Sequence, residues 1–268
     1  MASRHVAFCL ILIASAASAH AQSLVACADR AGMPPFIYGV SAANAESESA
    51  AGIAVDLLKL VAMDKGWRLQ VDLLPWARCL LDAKGHRYAL VINVVGGEAQ
   101  VDGLLLSKPF YRLHGVYVYS GRTHPRGLVI SSKQALKQMK ICGMGGHRFE
   151  AFGIPTETVD RGTSRGFDQL VAKLHLGRCD VVIGTREEIA GTYLKNLGLS
   201  GQIRDGSLRM EPLPYAAEPS LHFGVPESLP QARALMKSLN EALDRLDRQG
   251  TVAKLIDQHL DNLSLTHK

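Results

Sequence analysis

The chain has 268 residues, with 30 basic and 25 acidic side chains. That length is enough for one large domain or two small ones, each with its own core. The net charge of +5 is mild and spread out, with no run of like charges, which argues against a nucleic-acid-binding surface.

Residues 1–21 read as a secretion signal. Arg4 and His5 form a positive start, and Val6 to Ala16 is apolar but too short for a permanent span. Ala19-His20-Ala21 is a cleavage pattern, so the exported chain is expected to begin at Gln22. The alternative is an uncleaved N-terminal anchor. Cys9 lies inside the apolar run, which does not suit a lipoprotein. No later segment has the roughly eighteen continuous apolar residues of a membrane span. Removing 21 residues leaves 247 and takes away one arginine, for a charge of about +4.

Four cysteines remain: Cys27, Cys79, Cys142 and Cys179. Neither C-x-x-C nor helically paired histidines occur, so neither a zinc site nor another metal site is expected. An exported compartment permits disulfides, and four cysteines allow three pairings. If each half of the chain is one lobe, one bridge per lobe is the simplest pairing. The alternative is four buried free thiols.

Taken in order, Leu24 to Ala28 reads as a strand, and the prolines at 34 and 35 hold the following loop extended. Residues 39–51 are small and polar, a surface turn. Ile53, Leu57, Leu60 and Val61 share one face of a helix predicted over Ile53–Lys65, which Gly66 stops. Leu69, Val71 and Leu73 alternate as a strand. Pro75-Trp76 leads into a helix that ends at Gly85, and Tyr88–Val95 is an apolar strand closed by Gly96-Gly97.

Gly115–Ser120 follows as a strand, and Ser131 or Ser132 can cap a helix over Lys133–Met139. Ile141–Met144 reads as a strand, His147–Gly153 could open a helix, and Phe167–Leu176 is amphipathic. Val181–Ile183 is a buried strand, followed by a helix over Glu187–Leu197. Ser207–Val225 looks extended. Pro230 opens a long helix over Gln231–Arg248, and Thr251–Leu260 is a last helix. Strands alternating with helices give an α/β chain. Leu80–Val95 and Val171–Gly184 repeat one plan of helix end, glycine, apolar strand and glycine, which suggests two similar lobes.

Pro34-Pro35-Phe36, Gly52–Asp56, Pro75-Trp76, Ser107-Lys108-Pro109-Phe110-Tyr111, Gly177-Arg178-Cys179-Asp180 and a C-terminal helix ending at Gly250 occur in that order behind a signal. Together they resemble bacterial family 3 extracellular solute-binding proteins, over nearly the whole exported chain. The resemblance implies a type II periplasmic-binding-protein fold: two α/β lobes, each a mostly parallel sheet flanked by helices, joined by two hinge crossings. Carried onto this chain, the lobes are 22–118 plus 218–268, and 119–217. It further implies a monomer in the periplasm that needs no cofactor. A small ligand sits between the lobes, and an inner-membrane ABC permease is the partner.

Loops at the carboxyl ends of parallel strands line such a crevice. The expected ligand-binding residues are Phe36, Trp76, Asn93, Gly96, Gln100, Gly146, His147, Arg148, Thr185 and Arg186. Aromatic faces at Phe36 and Trp76 suit an apolar or cationic group, and the N–H groups of the glycine-rich segment 145–148 suit an anion. The family's Thr-x-x-Arg carboxylate clamp falls on Gly97–Gln100, so Gln100 stands for the arginine. Its acidic ammonium-holder falls on Thr185. Arg148 and Arg186 could rebuild an anion site, with Arg30, Arg78 and His147 weaker candidates. Bland readings stand beside these: Trp76 and Phe36 as core caps, Gln100 as a solvated loop residue, Arg148 and Arg186 as surface charges, and Asn93 as a turn former. A different class of function is an enzyme on the same fold, with Glu98, His147 or Glu187 as acid or base. A third is a sensor that presents its closed form to a membrane receptor.

Overall fold

The computed structural model describes residues 23–41, 48–96, 103–145, 147, 149–162, 166–195, 197–214 and 216–261, without the side chains of 151, 192–195, 197–200, 260 and 261. The secretion signal, the segment Gly97–Gln100, Gly146 and Arg148 lie outside the described residues.

Two sheets organise the chain. The first has the order β4-β1-β5-β12-β6, with β7 also on β12. Its strands are β1 (Ser23–Asp29), β4 (Arg68–Leu74), β5 (Leu90–Gly96), β6 (Leu104–Leu106), β7 (Tyr111–Arg112) and β12 (Ser220–Pro226). The second has the order β11-β8-β10-β9. It is made of β8 (Gly115–Ser120), β9 (Ile141–Cys142), β10 (Val181–Thr185) and β11 (Leu208–Pro212). A small hairpin of β2 (Tyr38–Val40) and β3 (Ser49–Ala51) stands within the segment expected to be only a surface turn.

The two-lobe α/β architecture holds, but the expectation of mostly parallel sheets is corrected to mixed sheets. In the first sheet β1 runs parallel to β4 and β5, whereas β12 runs antiparallel to β5, β6 and β7. In the second, β9 is parallel to β10, and β8 is antiparallel to both β10 and β11. The cause is the connectivity: a strand that comes back from the other lobe enters without a helical crossover and so can run against its neighbour.

Helices cover both sheets. On the first lie α1 (Ile53–Lys65), α2 (Trp76–Lys84), α7 (Ala232–Arg248) and α8 (Thr251–Asp261). The second carries α3 (Lys133–Lys137), α4 (Phe167–His175), α5 (Arg186–Lys195) and α6 (Leu197–Arg204). Helix α1 matches its periodicity, and Gly66 closes it at φ 67°, a left-handed position that glycine takes without a Cβ clash. Ser132 caps α3 by accepting from the Ala135 N–H at 3.1 Å. The segment after His147 forms only a 3-10 turn at Glu150–Phe152, which Gly153 ends at φ 70°. The single helix expected over Glu187–Leu197 is two, α5 and α6.

Each sheet is sandwiched between two apolar clusters. Leu57, Leu58, Leu90, Ile92, Phe223 and Leu239 meet on the α1/α7 side of the first sheet. Cys27, Cys79, Tyr88, Val91 and Val94 fill the α2 side. In the second sheet, Cys142, Leu170, Leu174, Cys179 and Val182 pack under α4. The disulfides are Cys27–Cys79 and Cys142–Cys179, with Cα separations of 5.7 and 5.9 Å. That is one bridge on each sheet, and it removes the free-thiol alternative. Among the described residues no helix is long and apolar enough to cross a membrane.

The chain passes between the sheets at 113–115 and again at 213–219. The two passages are tied to each other: Leu113 N–H donates to Pro219 O at 2.8 Å and Leu213 N–H to Gly115 O at 2.9 Å.

Candidate functional site

The first wall of the site is built on β5 and the loop after β1. The β5–β12 register shifts between His222 and Gly224, so β5 carries an extra residue there. Asn93 occupies this bulge at φ 60°, a conformation asparagine tolerates better than most side chains. The bulge takes Asn93 out of the alternation that sends Ile92 to one apolar cluster and Val91 and Val94 to the other. Both polar atoms of its carboxamide are buried and have no hydrogen-bond partner. A buried, unsatisfied amide costs about 1–3 kcal/mol, so a folded chain rarely keeps one without a use for it.

The second wall starts at the end of β10. Thr185 is 5% exposed, and its hydroxyl accepts from the Glu188 N–H at 3.3 Å, capping α5. The sequence signal for this is T-x-x-E at Thr185–Glu188, a capping pattern that the sequence reading passed over. Thr185 therefore holds the helix start. Glu187 is fully buried and gathers four donors: Tyr111 Oη at 3.0 Å, the His114 N–H at 3.1 Å, His114 Nδ1 at 2.7 Å and Arg186 Nη2 at 3.4 Å. A carboxylate only accepts, so His114 places its proton on Nδ1. The Arg186 N–H donates to His114 O at 2.8 Å, which ties the start of α5 to the first crossing. Burial, reinforced by the Glu187 charge, pushes the Tyr111 phenol well above its usual range. The Nε of Arg186 is buried and without a partner, although the side chain as a whole is 37% exposed.

Next to this cluster His147 faces Glu188 at 3.5 Å, beside a cavity of about 20 Å³ lined also by Met144, Gly184 and Ile189. That is room for about one water. Burial pushes the Glu188 carboxyl up, and His147 opposes the shift.

Several expected site residues sit elsewhere. Phe36 is fully enclosed, with Tyr111 at 4.8 Å and Phe110 at 6.5 Å between ring centroids. The ring of Tyr111 lies against Phe36, as it would over a core cap. Trp76 is half-buried against the Cys27–Cys79 cluster, as a core cap would be. Gly96 is buried, and a side chain there would run into the His222 ring and the Ser220 hydroxyl. Arg30 donates to Leu73 O at 3.1 Å, and Arg78 pairs with Asp82 at 2.8 Å. Of the ten expected ligand-binding residues, Asn93 lies at the bulge inside β5, His147 in the loop after β9, Thr185 at the carboxyl end of β10 and Arg186 at the start of α5, while Gln100, Gly146 and Arg148 fall outside the described residues. Tyr111 and His114 were missed as polar site residues. Nothing local in the sequence marks them, because their partner Glu187 lies 73 or more positions away.

The lobes meet along α5. Gly191 lies against the backbone of Pro34, in the loop after β1, so closely that a Cβ would overlap the Pro34 carbonyl. No metal-binding group of three or more His, Cys, Asp or Glu occurs among the described residues.

The substrate-binding protein of an amino acid ABC transporter has a similar fold, with a TM-score of 0.62 and 18% identity over 89% of this chain and 99% of that one. AbpA from Streptococcus pneumoniae, solved with L-arginine, gives a TM-score of 0.66 and 15% identity over 91% and 97%. An ancestral amino-acid-binding protein, described as a precursor of cyclohexadienyl dehydratase, gives 0.63 and 16% over 88% and 94%. No curated protein sequence matches the chain. The family model for bacterial extracellular solute-binding proteins, family 3, matches residues 25–262. With two α/β lobes and that match over most of its length, the chain belongs to the bacterial extracellular solute-binding proteins of family 3, a family that binds solutes in the periplasm rather than transforming them.

Proposed function

We propose that the two lobes capture a small polar solute, amino-acid-like or an organic acid, and deliver it to an inner-membrane ABC permease. One observation carries the reading. Among the described residues, the buried side-chain polar atoms without a partner are those of Asn93 and the Nε of Arg186. One stands on each sheet, Asn93 at the bulge inside β5 and Arg186 directly after β10, and α/β crevices take their ligands near the carboxyl ends of strands. A solute offering an acceptor to Arg186 and a donor–acceptor pair to Asn93 would satisfy all three atoms. His147 and the N-terminal turn of α5 complete that wall, and Gln100, Gly146 and Arg148 belong to the same proposal. So does the division of the chain into a cleaved signal at 1–21, a lobe of 22–118 plus 218–268 and a lobe of 119–217. Two of the similar structures are substrate-binding proteins of amino acid ABC transporters, which agrees with an amino-acid-like solute.

A thermal-shift panel of amino acids, organic acids, amines and sugars should raise the melting temperature with one chemical class, because a ligand that binds only the folded state stabilises it. No shift with any class, together with turnover of a substrate, would overturn the reading. Asn93→Gly is the sharper variant, since glycine keeps φ 60° without strain and deletes only the amide. It should lower affinity about tenfold or more while leaving stability unchanged or slightly raised, in line with about 1–3 kcal/mol for a lost hydrogen bond and a relieved unsatisfied group. A destabilised Asn93→Gly with full affinity would mean that the amide serves the fold.

A further inference from the structure

Glu187 is the fully buried charged side chain of the described residues, and it lies one residue from the arginine at the crevice. A carboxylate removed from water needs a counter-charge as well as hydrogen bonds. Tyr111 and His114 bring hydrogen bonds. The always-charged Arg186, with Nη2 3.4 Å from Oε1, brings the positive charge. The two residues together are therefore neutral, yet Arg186 Nε still has no acceptor. The other described basic side chain on this wall, His147, also faces a carboxyl group, that of Glu188.

We propose that Glu187 sets the charge selectivity of the crevice: by cancelling Arg186 it leaves a hydrogen-bond donor without net positive charge, so the solute is net-neutral, a zwitterion or an uncharged amide, and not the anion of an organic acid. This rests on the solute-binding reading above and narrows it. A net anion closed between the lobes would add an uncompensated charge where Glu187 already balances the arginine. A neutral carbonyl, or one end of a zwitterion, accepts from Nε without doing so.

The test uses fragments, so it does not wait for the solute to be known. Wild type, Glu187→Gln and Arg186→Gln are titrated at constant ionic strength with sodium acetate, acetamide and methylammonium chloride. Binding is followed by NMR and melting temperature. Wild type should prefer acetamide to acetate. Glu187→Gln should gain at least a tenfold shift in preference toward acetate, and Arg186→Gln a comparable shift toward methylammonium. A residue with a purely structural role would weaken every fragment alike and leave these ratios unmoved. If Glu187→Gln does not fold, the Arg186→Gln ratio decides. Acetate preferred by wild type, or ratios unchanged in the variants that fold, overturns the proposal. A solute panel that stays silent on wild type while the fragment ratios switch would sink the transport reading and leave the charge assignment standing.

Discussion

Replacing Cys27 and Cys79 together by alanine should lower the unfolding free energy by about 4 kcal/mol, the chain-entropy estimate for a cross-link closing a loop of this length. The bridged residues are 52 positions apart. The bridge joins the second strand from the edge of the first sheet to α2, and both cysteines are fully buried. Its loss frees α2 from β1 and leaves two small voids beside Tyr88, Val91 and Val94. In a chain of this size the expected fall in melting temperature is about 10 °C. Urea or thermal unfolding under oxidising conditions measures it. An unchanged midpoint in Cys27→Ala/Cys79→Ala would show that packing of α2, rather than the bridge, holds this layer. The corresponding Cys142/Cys179 variant should weaken the second sheet instead, because β9 is only two residues long and stands at the sheet's edge, paired with β10 and with a single bridge to Asp160.

Gly191→Ala should separate stability from binding. Alanine in a helix is favoured over glycine by about 1 kcal/mol, so α5 itself should not weaken. The added methyl would nevertheless meet the Pro34 carbonyl across the gap between the lobes. Overpacking of this kind costs about 1–3 kcal/mol, and the cost is expected to fall on the arrangement in which Gly191 abuts Pro34. Solute affinity should therefore drop about tenfold or more with little change in the melting temperature of the free protein. Small-angle scattering gives a second reading: the wild-type chain should contract on adding solute and the variant should contract less. Full affinity in Gly191→Ala would mean that the lobes meet elsewhere when they close on a solute.

Much of the fold could be read along the sequence, where the governing forces are local. The period of Ile53, Leu57, Leu60 and Val61 sets α1, and Gly66 ends it because few other residues accept φ 67°. The spacing of the cysteines around two lobes anticipated both bridges. The site was less legible. Phe36 has the composition of a pocket aromatic, but Tyr111, 75 positions later, lies against it. The hydroxyl of Thr185 is spent on the N-terminus of α5, as its own T-x-x-E pattern indicated. Asn93 reads as a turn former at a strand end. Its left-handed backbone and orphaned amide exist only because β12 pairs with β5 out of step.

The sequence by itself determined the family, the alternation of strands and helices, the caps and the cysteine pairing that two lobes make simplest, all of which follow from short-range pattern or residue type. The tertiary structure alone decided that the sheets are mixed, that Glu187 is buried among Tyr111, His114 and Arg186, and that Gly191 abuts Pro34. The reason is physical. Strand direction, burial and charge pairing across 72 to 157 positions are set when two lobes come together, and no stretch of neighbouring residues carries that information.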